Sequence, residues 1–83
     1  MVTPESITAS IRDGLSCDHV EVAGDGHHFE ALIVAAAFDG ATRVRRHQLV
    51  YATLGDRMRE EIHALSMTTL TPAEWAQRRQ GGQ

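Results

Sequence analysis

Lysine is absent from this chain, and cysteine, proline and aromatic residues are scarce. All eight basic residues are arginine, and among 83 residues there are one cysteine, two prolines, two phenylalanines, one tyrosine and one tryptophan. Each shortage excludes something. One thiol, Cys17, can neither close an internal disulfide nor hold a cluster that needs four thiolates. Nothing calls for an oxidising compartment, so the cytoplasm is expected. No apolar run approaches the roughly 18 residues of a membrane helix. The opening "MVTPESI" has no basic cluster and no long apolar stretch, so no signal peptide is expected. Neither HExxH nor CxxC occurs, which removes the usual metalloprotease and closed zinc patterns. No nucleophile elbow or acid–base pair is legible, so the chain is not expected to be an enzyme. A net charge of −3 argues against a strongly basic nucleic-acid binder, and 42% apolar residues argue against disorder.

What remains is one small domain, expected over residues 1–79 with a flexible tail at 80–83. "TPESITASIRDGL" reads as a helix: Thr3 caps, Pro4 suits the first turn, Glu5 favours the positive end, and Ile7, Ile11 and Leu15 form an apolar stripe. "CDHVEVAG" alternates and reads as a strand, with Val20 and Val22 on one face. "GDG" at 24–26 is a hairpin turn. "HFEALIVAAAF" is apolar on both alternations past Glu30, which predicts a central strand running to Phe38. Thr42 opens a helical stretch over 42–62, where Tyr51, Leu54, Met58 and Ile62 share one face and Gly55 predicts a break near 53–56. "HALSMTTL" predicts a third strand with Leu65 and Met67 together. "TPAEW" is the strongest local signal: Thr71 caps, Pro72 is first in the helix, and Glu74 completes a capping box. The order α-β-β-α-α-β-α predicts an α+β two-layer sandwich, a three-stranded mixed sheet with helices on one face.

Five histidines are the residues richest in chemistry: His19, His27, His28, His47 and His63. His63 sits between a helical and a strand pattern, where it closes a helix C-terminus or serves as a ligand. His27 and His28 follow the hairpin turn, as exposed polar residues or as ligands. His47 lies among Arg43, Arg45 and Arg46, a cationic helix start suited to phosphate, to an acidic partner or simply to solvent. Cys17 reads as a half-buried packing residue.

Taken together, "HVEVAGDGHHFEALIVAAAFDG", "RVRRHQLVYATL" and "IHALSMTTLTPAEW" resemble the BolA family over nearly the whole chain. The short "GDGHHF" turn and the "TPAEW" ending look most like its IbaG branch. The resemblance implies a fold similar to a class II KH domain, although no GXXG loop for clamping a nucleic-acid backbone is present. It also implies a non-enzymatic partner of a monothiol glutaredoxin, the pair sharing a [2Fe-2S] cluster with glutathione in iron–sulfur trafficking or iron homeostasis. No cofactor is expected in the isolated chain, which would be a monomer or weak homodimer. The position matching the family's cluster histidine is His63, and the second ligand falls on His27 or His28. Some members are described as DNA-binding transcriptional regulators. On that reading Arg43, Arg45, Arg46, His47, Arg57 and Arg59 offer weak phosphate contacts, opposed by Glu60 and Glu61. An imidazole ligand fits transfer or sensing. It raises a cluster's potential relative to thiolate, and it takes up a proton near pH 6.5, so acid should weaken the shared complex.

Overall fold

A computed structural model describes residues 2–81. Helix α1 (Pro4–Gly14) starts where the sequence signals it. The Thr3 hydroxyl accepts from the Ser6 N–H at 3.1 Å, and the Ser6 hydroxyl accepts from the Thr3 N–H at 3.0 Å. This reciprocal cap satisfies two of the donors that a helix start leaves unpaired. Ile7 and Ile11, one turn apart, are fully buried and form the inner stripe of α1.

Strand β1 (His19–Gly24) and strand β2 (His28–Val34) form an antiparallel hairpin in which Val20 faces Ile33 and Gly24 faces Phe29. Strand β3 (Ala64–Leu70) pairs with β2 in parallel, with His28 opposite Ala64 and Met67 opposite Ala31. The order is β1-β2-β3, so β2 is central as expected. Alternation turns Phe29, Ala31 and Ile33 to one face, and all three are buried there with Val20, Ile7 and Ile11.

The central strand is shorter than the sequence predicts. It ends at Val34, and Ala36–Phe38 form a single 3-10 turn. The Ala35 N–H still donates to the Leu70 carbonyl at 3.1 Å, after which the Phe38 N–H turns back to the Ala35 carbonyl. Alanine brings little side chain to pack on a sheet, whereas the turn carries Phe38 into the core with no exposed surface. Continuing the strand would have left that ring on the strand's own alternation.

Helix α2 (Arg43–Leu54) is capped by Thr42, whose hydroxyl accepts from the Arg45 N–H. The expected break lies at Gly55, which adopts a φ of 55° that glycine takes without a Cβ penalty. Helix α3 (Arg57–Glu60) follows. This break alters the predicted apolar stripe: Val50, Leu54 and Ile62 are buried, Met58 is partly so, and Tyr51 is 39% exposed. Helix α4 (Pro72–Gly81) has the predicted capping box, the Thr71 N–H donating to Glu74 Oε1 and the Glu74 N–H to Thr71 Oγ1. Gln80 and Gly81 of the expected tail belong to α4, and 82–83 lie outside the described residues.

Helices α1 and α2 occupy the face expected for the helical layer. Helix α4 reaches the end of the opposite face, where Trp75 stacks on His19 with ring centroids 5.0 Å apart. His19 alternates with buried Val20, and this alternation sends its ring to that side. The His19 ring is also hydrogen-bonded to Glu21, and Arg79 lies over the Trp75 ring. Among the described residues no helix is long and apolar enough to cross a membrane.

Candidate functional site

Parallel pairing of β2 with β3 puts the beginnings of both strands at the same end of the sheet. The register sets His28 opposite Ala64, so one residue upstream on each strand sets His27 opposite His63. The two imidazoles meet there, with ring centroids 5.7 Å apart and planes tilted by 35°. Both residues are exposed. His63 follows Ile62, whose burial fixes the chain as it leaves α3 and enters β3.

The hairpin end is held by hydrogen bonds to Asp25. Asp25 Oδ1 accepts from the N–H groups of both His27 and His28, each at 2.9 Å. The Asp25 N–H donates to the His28 carbonyl at 3.3 Å. Gly26 between them has a φ of 101°, which a side chain would oppose. The amides of His28 and, next, His27 hold the Asp25 carboxyl below the usual carboxylate range.

Of the residues singled out in the sequence, the structure brings His27 and His63 together and leaves His28 aside. His28 is already in β2, and alternation sends its side chain to the face opposite buried Phe29. Among the described residues no third His, Cys, Asp or Glu joins the pair in a group able to hold a metal ion. Two exposed imidazoles are fewer donors than the four of a closed tetrahedral metal site. Cys17 lies elsewhere, packed against the core, and burial pushes its thiol up despite the opposing pull of Arg12.

The arginine cluster divides. Arg46 is an internal strut: its Nε donates to the Ala41 carbonyl at 2.9 Å, and its Nη1 donates to the Thr69 carbonyl at 3.1 Å and to Glu74 at 2.8 Å. Arg57 ties α3 to α1 through the Ser6 carbonyl and the hydroxyls of Ser6 and Ser10, and pairs with Glu61. Arg43, Arg45 and Arg59 are exposed. Arg43 and half-buried His47 line an open groove of about 620 Å³ beside the outer edge of β3. Sequence reasoning missed Asp25 as a residue of the site. Its signal was an aspartate placed two residues before a histidine in a glycine-flanked turn, where an Asx turn is common.

The family model for BolA-like proteins matches residues 5–74. The acid stress protein IbaG of Escherichia coli strain K12 is 42% identical over 74 residues, spanning 88% of each chain. The DNA-binding transcriptional regulator BolA of Haemophilus influenzae is 39% identical over 57 residues, 69% of this chain and 55% of that protein. Among solved structures, a BolA homologue from Coxiella burnetii superposes with a TM-score of 0.83 at 48% identity, covering 92% of this chain and 99% of the other. A match running from the first helix through the hairpin with its histidines to the capped start of the last helix places this chain in the BolA family, among its IbaG-like members.

Proposed function

We propose that this chain is a non-enzymatic adaptor that pairs with a monothiol glutaredoxin and contributes imidazole ligands to a [2Fe-2S] cluster shared between them. The observation that carries this reading is the exposed His27–His63 pair with no third donor grouped beside it. The donor chemistry fits. One or two neutral imidazoles can replace thiolates on one iron of such a cluster, as in Rieske-type centres. Thiolates from glutaredoxin and glutathione would complete the set. His63 is the principal ligand and His27 the second, while His28 points away from the pair. Bound there, the cluster would gain a higher reduction potential and a bond that acid breaks, because coordination requires neutral imidazole. These properties suit transfer or sensing in iron–sulfur trafficking and iron homeostasis in the cytoplasm.

The test is to mix the chain with cluster-loaded monothiol glutaredoxin and follow visible circular dichroism. The expected result is a new spectrum with the wild type, a different one with His27→Ala, and none with His63→Ala. A wild-type spectrum reproduced by His63→Ala would remove the ligand assignment.

A second reading, DNA-binding transcriptional regulation, takes its support from the name of the Haemophilus relative. Against it, Arg46 and Arg57 are committed to internal partners. Arg43, Arg45 and Arg59 are exposed, fewer cations than a tight duplex contact uses. An electrophoretic shift near physiological salt, with competitor DNA, separates the readings: the adaptor reading expects no shift of a specific duplex.

A further inference from the structure

We infer that Asp25 is a positioning residue, holding the hairpin in the one turn that sets the His27 ring against His63. The inference rests on the adaptor reading for its consequence, and on geometry alone for its content. The connection between β1 and β2 is only Asp25, Gly26 and His27. Within it, one carboxylate oxygen accepts from two successive backbone N–H groups at 2.9 Å each. The N–H of the same residue closes the turn on the His28 carbonyl. Gly26 supplies the positive φ, and the chain enters β2 with His28 opposite Ala64. His27 is thus fixed at its backbone by a partner two residues away, and its ring lies beside that of His63.

An exposed loop histidine without such a tether samples many backbone states and faces its neighbour for a fraction of the time. A donor already in place loses less freedom when it binds, which is why a held ligand binds more tightly than a free one. Asp25 therefore acts on the second ligand without touching the metal centre. Its role needs an acceptor oxygen and not a charge, since both donors are neutral amides. That requirement separates Asp25→Asn, which keeps Oδ1, from Asp25→Ala, which removes it.

The experiment uses the full chain in two arms. In the chain alone, nuclear Overhauser contacts between the ring protons of His27 and His63 are measured, with hydrogen exchange at the His27 and His28 amides. The expected result is a contact that is lost in Asp25→Ala and kept in Asp25→Asn, with exchange at the two amides faster by roughly fivefold in the alanine variant. With cluster-loaded monothiol glutaredoxin, the visible dichroism of Asp25→Ala is expected to match that of His27→Ala, and that of Asp25→Asn to match wild type. A ring contact that persists in Asp25→Ala overturns the inference whatever the cluster does. So does an asparagine variant that behaves like alanine, since the charge and not the acceptor would then matter. If the contact follows Asp25 as expected but no histidine substitution alters the cluster spectrum, the positioning role stands and the ligand reading fails.

Discussion

Replacing Arg46 by methionine separates a structural strut from a phosphate contact. The side chain is 15% exposed and spans three elements, reaching the Ala41 carbonyl before α2, the Thr69 carbonyl on the outer edge of β3, and Glu74 in the first turn of α4. Methionine keeps most of the length and removes every donor. A buried bond from a charged donor contributes about 1.5–3 kcal/mol; discounted for partial exposure to about 1–1.5 kcal/mol each, the two carbonyl bonds together contribute about 2–3 kcal/mol. The Glu74 contact is too exposed to add much and is screened by salt. For a domain of this size each kcal/mol moves the melting temperature by about 4–8 °C, so Arg46→Met should melt about 10–20 °C lower. Arg46→Lys, with a single ammonium in place of a planar fork, should fall between. Thermal melts by far-ultraviolet circular dichroism, repeated at high salt, provide the measurement. The loss should persist at high salt, because most of it comes from carbonyl bonds. A variant melting within about 3 °C of wild type would refute the strut and make Arg46 available to outside partners.

Three further expectations follow from contacts already described. Gly24→Ala should destabilise by about 1–3 kcal/mol in urea melts, because a Cβ there would lie 2.4 Å from Phe29 Cδ1 and 2.5 Å from the His28 carbonyl oxygen; an unchanged midpoint would show that Phe29 repacks freely. The Arg46 guanidinium, followed by the Thr71 N–H, holds the Glu74 carboxyl below the usual glutamate range, so its contribution to α4 is complete above that range and is lost as pH falls through the folded value. Carboxyl titration by NMR should show this depressed midpoint and its upward return in Arg46→Met, and an ordinary midpoint in the wild type would contradict the pairing. Cys17, its thiol pushed up by burial, should react with iodoacetamide near neutral pH more slowly than free cysteine and speed up in urea; a faster reaction in the folded chain would contradict the assignment.

Local chemistry was legible and distant chemistry was not. The caps at Thr3, Thr42 and Thr71 act within three residues, so the sequence displays both partners. The hairpin, the central place of β2 and the break at Gly55 follow from turn residues and alternation in the same way. The end of β2 was misjudged because a run of alanines has no strong preference, and the fate of Phe38 is decided by a cavity that other segments build. Arg46 and Arg57 read as a solvent-facing charge cluster because their acceptors, Thr69 and Ser10, lie far along the chain. The stack of Trp75 on His19 joins the two ends of the sequence and leaves no local mark. Gly24 reads as a turn residue, whereas the ring of Phe29 is what keeps a side chain from that position. At the candidate site, alternation could say that His27 and His28 diverge. Only the parallel register could say which of them meets His63.

That register has a consequence for the order in which the molecule acquires its chemistry. A hairpin can close early, since its strands are neighbours in sequence, but it presents only one of the two rings. The other arrives when the chain has traversed both middle helices and laid its last strand alongside the first pair, a long-range closure that is slow to form. The doublet is thus a certificate of finished assembly: a half-folded molecule, or one whose final strand has peeled away, has no such pair to offer.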